Sequence, residues 1–127
     1  MPIRKASSKD SAPIRALIKA FPDKLLQDHL PSIGSFFVAV ENKKIIACCA
    51  LQIYSKRLAE VRTLAVAKEH QGKGIASKLV KKCLAEARKK KVYEVLSITG
   101  AVKLFEKQGF GAFKGEKYAL LKILDKH

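Results

Sequence analysis

The sequence predicts a single α/β domain in which a mixed, mostly antiparallel sheet of six to seven strands carries helices on both faces. Short apolar runs over 36–40, 44–54 and 58–66, separated by polar turns, are typical of successive strands. Apolar residues between 74 and 90 recur at helical spacing, which indicates an amphipathic helix. The run over 44–54 is apolar at both alternating sets of positions, so we expect that strand in the middle of a covered sheet.

The remaining elements follow from helix and turn signals. Asp10 precedes an apolar series at helical spacing, which predicts an N-cap with Pro13 in the first turn. Pro22 and Pro31 bound a second, short helix over 23–30. The other predicted elements are an edge strand over 2–6, a strand over 92–98, a helix over 101–108 closed by Gly109, and a final hairpin over 110–113 and 117–124. The order β-α-α-β-β-β-α-β-α-β-β fills one domain, 1–127.

The composition is that of a folded chain, with 48% hydrophobic and 29% charged residues. The longest apolar run, 45–51, is too short to cross a bilayer. The polar start of the chain lacks the apolar segment of a secretory signal, so we expect a cytoplasmic protein without a membrane partner. Cys48, Cys49 and Cys83 lie in apolar segments without metal-ligand spacing, which predicts buried thiols and no metal site.

The net charge is +15, from 26 Lys and Arg against 11 Asp and Glu. Three explanations compete: a general lysine bias of the composition, a phosphate-rich anionic cofactor, or a nucleic acid. The lysines are spread along the whole chain, and there is no Trp. A nucleic-acid surface more often clusters Lys with Arg and exposed aromatic residues. Lysine bias is therefore favoured first, the anionic cofactor second and nucleic acid last.

A glycine-rich loop joins the strand over 58–66 to the long helix. The start of a helix offers unpaired backbone N–H groups and a partial positive charge. Gly72 and Gly74 allow a ligand to approach this backbone closely, so the segment predicts an anion site, typically for phosphate. The spacing matches neither a P-loop nor a dinucleotide-binding fingerprint. The two glycines alone are also compatible with an ordinary helix start that binds no ligand.

Three stretches carry a resemblance to a known family. The pattern Gln71-x-x-Gly74-x-Ala76 matches the [QR]-x-x-G-x-[GA] signature of the GNAT superfamily of N-acetyltransferases. The strand EVRTLAV resembles the family's fourth strand, and LFEKQGF is similar to the family's last helix, which ends in Gly-Phe. The resemblance covers nearly the whole chain and implies a GNAT fold. The stretches KKIIACCALQIY, LAEVRTLAV and LFEKQGF look most like short bacterial amino-acid acetyltransferases related to N-acetylglutamate synthase.

The resemblance implies acetyl-CoA as co-substrate and no metal. In the family the fourth and fifth strands splay apart, and the acetyl-pantetheine arm lies in the gap, which here places it along Leu64, Ala65 and Val66. The pyrophosphate would lie on the loop and helix start. The residues expected there are Gln71, Gly72, Lys73, Gly74, Ile75, Ala76 and Ser77.

Glu60 is the candidate catalytic residue, because several family members place a glutamate base at this point of the fourth strand. The alternative is a strand-end charge that pairs with Arg57 or Arg62. Either arginine could also bind a substrate carboxylate, although ordinary surface charges on a basic protein are the favoured explanation for both. We expect the lone His70 to be solvated.

The position where many family members carry a tyrosine acid is occupied by Phe105. Tyr54, Tyr93 and Tyr118 do not match that position. The sequence thus favours acetylation of a small-molecule amine, above all an amino acid. The alternatives are acetylation of a protein N-terminus or lysine, and a CoA- or RNA-binding GNAT-fold module with little or no catalysis. Family members often form homodimers, and the sequence leaves the oligomeric state open.

Overall fold

Five strands form one sheet in the order β1-β2-β3-β4-β5. The computed structural model describes residues 2–112 and positions 120, 122 and 124. The elements are β1 (Ile3–Lys5), α1 (Ser11–Lys19), β2 (Phe36–Glu41), β3 (Lys44–Ile53), β4 (Leu58–Val66), α2 (Ile75–Lys89), β5 (Glu94–Leu96) and α3 (Val102–Glu106). The first four strands pair antiparallel, and β4 pairs parallel with β5. The mixed, mostly antiparallel α/β sheet is therefore confirmed.

The number of strands differs from the prediction. The described residues contain five strands rather than six to seven. Residues 110–112 of the predicted final hairpin lie outside any strand. The rest of that hairpin, apart from positions 120 and 122 and 124, lies outside the described residues.

The predicted helix over 23–30 is wrong, because this segment forms turns. A helix of eight residues between two prolines has little to offset the cost of nucleation. The Gln27 side chain also hydrogen-bonds to backbone carbonyl groups in and after the last turn of α1. Its Nε2 donates to the carbonyl oxygens of Ile18 and Leu25, at 3.1 Å each. The segment therefore folds back beneath α1 as an irregular loop.

Both faces of β3 are buried, as the sequence predicted. Cys49 and Leu51 pack toward α2, whereas Cys48 and Ala50 pack toward α1. Burial raises the pKa of the Cys48 thiol to about 12. The buried-thiol prediction is confirmed, since all three cysteines are free and buried. Cys83 from α2 places its sulfur 3.8 Å from that of Cys49.

The Asp10 side chain stabilises the start of α1 through hydrogen bonds to residues that precede it in the chain. It occupies the N-cap position, but its carboxylate makes no bond to the α1 backbone. Instead Oδ2 accepts hydrogen bonds from Arg4 Nη1 at 2.7 Å and from the Ser7 amide at 2.8 Å. These hydrogen bonds hold the pKa of Asp10 well below its ordinary value, and the bond from Arg4 has the larger effect.

The Asp10 contacts predict a pH-dependent loss of stability. Asp10→Asn should lower the free energy of unfolding by about 1 kcal/mol at pH 7, because the Arg4 side of the pair is solvated. The pKa of Asp10 is depressed in the folded state, so the carboxylate's contribution is complete above the unfolded pKa of about 3.9. It is lost as the pH falls further, and wild type and variant should then converge. Urea unfolding over this range checks the prediction, with Asp23→Asn in an exposed turn as the control. A difference that persists undiminished in acid would contradict it.

Candidate active site

The parallel strands β4 and β5 separate partway along the sheet. Their pairing runs from Leu58 opposite Glu94 to Glu60 opposite Leu96. β5 ends there, whereas β4 continues for six more residues. Ser97 Oγ donates to the carbonyl oxygen of Val61 at 3.2 Å, just past the last pair. Beyond this point β4 has no strand neighbour on that side among the described residues, so a cleft opens along it.

A β-bulge lies in β4 next to this cleft. Ala50 pairs with Arg62 and Cys48 pairs with Ala65, so two residues of β4 lie opposite Cys49. The first of these, Thr63, has φ of +56°, which is rare for a β-branched residue and costs about 1–3 kcal/mol. Bulges of this kind reorient the backbone and occur preferentially beside active sites. This distortion was not predicted from the sequence, because neither residue 63 nor residue 64 is a glycine.

The loop after β4 connects that strand to α2 and has a defined backbone conformation. Gln71 Nε2 donates to the carbonyl oxygen of Val66 at 3.0 Å. Gly72 and Gly74 both have φ of +80°, and Gly74 is the N-cap of α2. Among the described residues, no acceptor pairs with the backbone N–H groups from Gly72 to Ser77. These donors, at the positive end of a 15-residue helix, are suited to a phosphate group.

The strand, the loop and the helix start surround one cleft of about 410 Å³. All of the predicted coenzyme residues except Lys73 line it. The lining residues are Phe21, Lys24, Leu25, Leu64, Ala65, Val66, Gln71, Gly72, Gly74, Ile75, Ala76, Ser77, Ala101 and Leu104. A Cβ atom added at Gly72 or Gly74 would meet no atom within 4 Å, so the space beside both glycines is open. The cleft is therefore compatible with a phosphate-bearing ligand along this wall.

Glu60 lies at the last β4–β5 pair, opposite Leu96, and is not among the residues that line the cleft. Its Oε1 accepts a hydrogen bond from the Tyr54 hydroxyl at 2.5 Å. Burial, followed by this bond, raises the pKa of Tyr54. The alternative, an ion pair of Glu60 with Arg57 or Arg62, is wrong, because Glu60 forms no ion pair among the described residues. The sequence analysis set Tyr54 aside because it does not match the family's tyrosine position. Tyr54 directly follows β3, and only the β3–β4 register brings it to Glu60.

The two candidate arginines have different surroundings. Arg57 pairs with Glu94, with Nε 3.2 Å from Oε1, and its exposed side chain lies over the Tyr93 ring. Half-buried Arg62 donates to Gln52 Oε1 and, at 3.3 Å, to the carbonyl oxygen of His29. Arg62 therefore ties the segment after α1 to the sheet.

His70 is not solvated as expected. Its side chain is only 15% exposed, and its Nδ1 lies 3.6 Å from Glu41 Oε2. This nitrogen is buried and has no hydrogen-bond partner among the described residues. His70 ends a short 3₁₀ turn, Lys68–His70, and is not among the residues that line the cleft.

Phe105 is a packing residue. It is 4% exposed, and its ring meets that of Phe110 edge to face at 5.1 Å between centroids. The usual position of the tyrosine acid is thus filled by an apolar core contact. Tyr54 is half exposed at 51%, and Tyr93 is largely exposed.

Five residues of the cleft are not among the residues predicted for the site. Phe21, Lys24 and Leu25 come from the segment after α1, Ala101 is the N-cap of α3, and Leu104 lies within α3. Lys24 is the only charged side chain of the described lining, and it forms no ion pair with another described residue. A lysine among 26 basic residues carries no sequence signal of its own; its placement depends on the tertiary fold.

Comparisons with known proteins agree with this geometry. Residues 7–110 match the acetyltransferase (GNAT) family. The chain belongs to the GNAT family. An uncharacterised N-acetyltransferase of Chlorobaculum tepidum is 30% identical over 91% of this chain and 79% of its own length. An amino-acid acetyltransferase of Mycobacterium tuberculosis is 27% identical over 89% of this chain and 70% of its own length.

A solved structure extends the comparison to the coenzyme. A Mycobacterium tuberculosis protein in complex with CoA and NLQ superposes with a TM-score of 0.82, at 28% identity. The match covers 91% of this chain and 74% of that one. This GNAT protein is accordingly an acyltransferase that uses acetyl-CoA as co-substrate. Within the described residues, no group of three or more potential metal ligands occurs, and no helix is long and apolar enough to span a membrane.

Proposed function

We propose that this acetyltransferase acetylates the α-amino group of a free amino acid. The observation that carries the proposal is Lys24, the charged side chain of the described cleft lining. An amino acid presents a carboxylate beside its amine, and an ammonium group is a natural partner for it. A polyamine or a lysine side chain would instead be repelled by this charge. The likeness to an amino-acid acetyltransferase supports the same substrate class.

The placement of the coenzyme follows from the free donors of the site. We propose that its diphosphate lies against residues 71–77, where the N–H groups of 72–77 have no acceptor among the described residues. Its pantetheine arm would lie along 64–66, where β4 has no described strand neighbour on the β5 side. When bound, acetyl-CoA supplies an activated acyl group on a thiol of reference pKa near 8.5, which leaves readily. A protein acid is then dispensable, which is compatible with a buried Phe105.

Glu60 is the proposed general base. The amine must lose a proton before or as it attacks. A peptide α-amine has a reference pKa near 8, and the neighbouring carboxylate of a free amino acid raises the pKa further. Only a small fraction is therefore neutral at pH 7, so a carboxylate that accepts the proton, directly or through one water, raises the rate. Glu60 lies at the last β4–β5 pair, where the cleft begins. Its Oε1 is occupied by Tyr54, which leaves Oε2 for the amine proton.

A thiol-release assay tests the substrate class and the role of Lys24 together. Free amino acids should be acetylated with kcat/KM at least about tenfold above that of the matching amino-acid amides, which lack the carboxylate. Lys24→Met should raise KM for amino acids by about tenfold and leave both the Kd for CoA and the turnover of amides unchanged. Lys19→Met, at the exposed end of α1, is the matched control.

Two outcomes would overturn the proposal. One is faster turnover of peptides or polyamines than of any amino acid. The other is a Lys24→Met variant that weakens CoA and leaves KM for the amino acid unchanged, because Lys24 would then serve the coenzyme.

A further inference from the structure

The end of α3 has a rigid, identifiable geometry. Gly109 has φ of +93°, and its N–H donates to the Glu106 carbonyl while the Phe110 N–H reaches back to the Phe105 carbonyl, at 3.0 and 3.1 Å. This pair of bonds, with the glycine in a left-handed conformation, is a Schellman motif. The contact between the Phe105 and Phe110 rings is the hydrophobic contact that accompanies it. The residue just before the glycine, Gln108, is thereby fixed.

From this position the Gln108 side chain forms a hydrogen bond with the first turn of α2. Its Nε2 donates to Ser77 Oγ at 2.7 Å, across 31 residues of sequence. Both residues are half-buried. Ser77 lies in the first turn of α2 and lines the cleft. The bond therefore joins α3 to the wall on which the coenzyme's diphosphate is proposed to lie.

The direction of this bond determines what the serine can do. The Ser77 oxygen accepts a hydrogen from the amide, so the hydroxyl's own hydrogen is left to donate elsewhere. No acceptor among the described residues takes that hydrogen. The neighbouring backbone N–H groups are likewise donors without acceptors. The two kinds of donor line the same cleft and are suited to an anionic acceptor.

We infer that Gln108 is a positioning residue that makes the Ser77 hydroxyl a donor to the diphosphate of the coenzyme. The inference rests on the proposed placement of that diphosphate against 71–77. It also gives a physical role to the Phe105–Phe110 contact, because that contact holds the Schellman motif that fixes Gln108. A glutamate at 108 would reverse the arrangement, since a carboxylate accepts the serine hydrogen and adds a negative charge beside the phosphates.

A double-mutant cycle on CoA affinity, measured by calorimetry, tests the inference. Ser77→Ala should raise the Kd for CoA by about tenfold, the cost of one charge-assisted hydrogen bond. Gln108→Leu should raise it by roughly three- to tenfold in the wild-type background. In the Ser77→Ala background the same change should add less than about twofold, because the two residues act as one unit. Gln108→Glu should weaken CoA at least as much as Ser77→Ala.

Two controls separate positioning from simple support of α3. The thermal midpoint of each variant is measured, and turnover of S-acetylpantetheine, which lacks the phosphates, should be the same for wild type and Gln108→Leu. Equal losses of CoA affinity in both backgrounds, or an equal loss of S-acetylpantetheine turnover, would overturn the inference. So would unchanged affinity in Gln108→Leu and Gln108→Glu while the wild-type protein binds CoA. Absence of CoA binding by the wild-type protein would instead overturn the proposed coenzyme site itself.

Discussion

Glu60→Gln is expected to lower kcat at pH 7 by about 10²–10⁴-fold, the usual contribution of a general base. The affinity for CoA should stay within about twofold, because Glu60 lies at the last β4–β5 pair and is not among the residues that line the cleft. The amide is isosteric and its oxygen can still accept the Tyr54 hydrogen bond. The substitution therefore removes the proton acceptor and retains the contact. Steady-state kinetics with a free amino acid, together with calorimetry of CoA, measures both quantities.

The pH dependence of the variant distinguishes a base from a structural residue. The fraction of neutral α-amine in solution rises about tenfold per pH unit below its pKa, which for a free amino acid lies above the peptide value of about 8, so the variant should recover activity as the pH increases. The wild-type enzyme should show a shallower rise, since Glu60 accepts the proton within the complex. Glu94→Gln breaks the ion pair with Arg57 outside the cleft lining and is the matched control. A Glu60→Gln variant that keeps the wild-type rate at pH 7 would assign Glu60 to the Tyr54 contact alone.

The elements that the sequence predicted well are those set by local periodicity. β3 is apolar at every position from Ile46 to Leu51, and both of its faces are indeed buried. α2 places Leu79, Cys83 and Ala87 on one stripe, and all three are in the core. The glycine-rich loop was predictable for a similar reason, because a left-handed backbone at two positions favours glycine.

The features that the sequence did not predict depend on contacts between distant segments. Residues 23–30 form turns because the Gln27 side chain binds carbonyls of α1 and of its own loop. Lys24 enters the cleft only when the loop after α1 folds toward β4, some 40 residues away in the chain. Tyr54 meets Glu60 through the register of β3 against β4. Such contacts between distant side chains cannot be predicted from the periodicity of the sequence.

Gly74→Val is expected to raise the Kd for CoA by at least about tenfold. The cause is conformation rather than crowding, because a Cβ atom at Gly74 would meet nothing within 4 Å. The residue has φ of +80° at the N-cap of α2, a conformation that costs an L-residue about 1–2 kcal/mol and a β-branched one more. The variant relieves this cost by rotating the backbone, and the rotation turns the N–H groups of the first helical turn away from a common point. Calorimetric titration with CoA measures the effect.

Gly34→Val is the matched control, since Gly34 also has open space around its Cβ position but no positive φ. It should change the CoA affinity by less than about twofold. The thermal midpoint of Gly74→Val should fall only modestly, because the core stripe of α2 is untouched. If a folded Gly74→Val bound CoA as tightly as wild type, the amide hydrogens at the start of α2 would not be the phosphate donors. The diphosphate would then have to lie elsewhere in the cleft, and Lys24 would be the first residue to test for it.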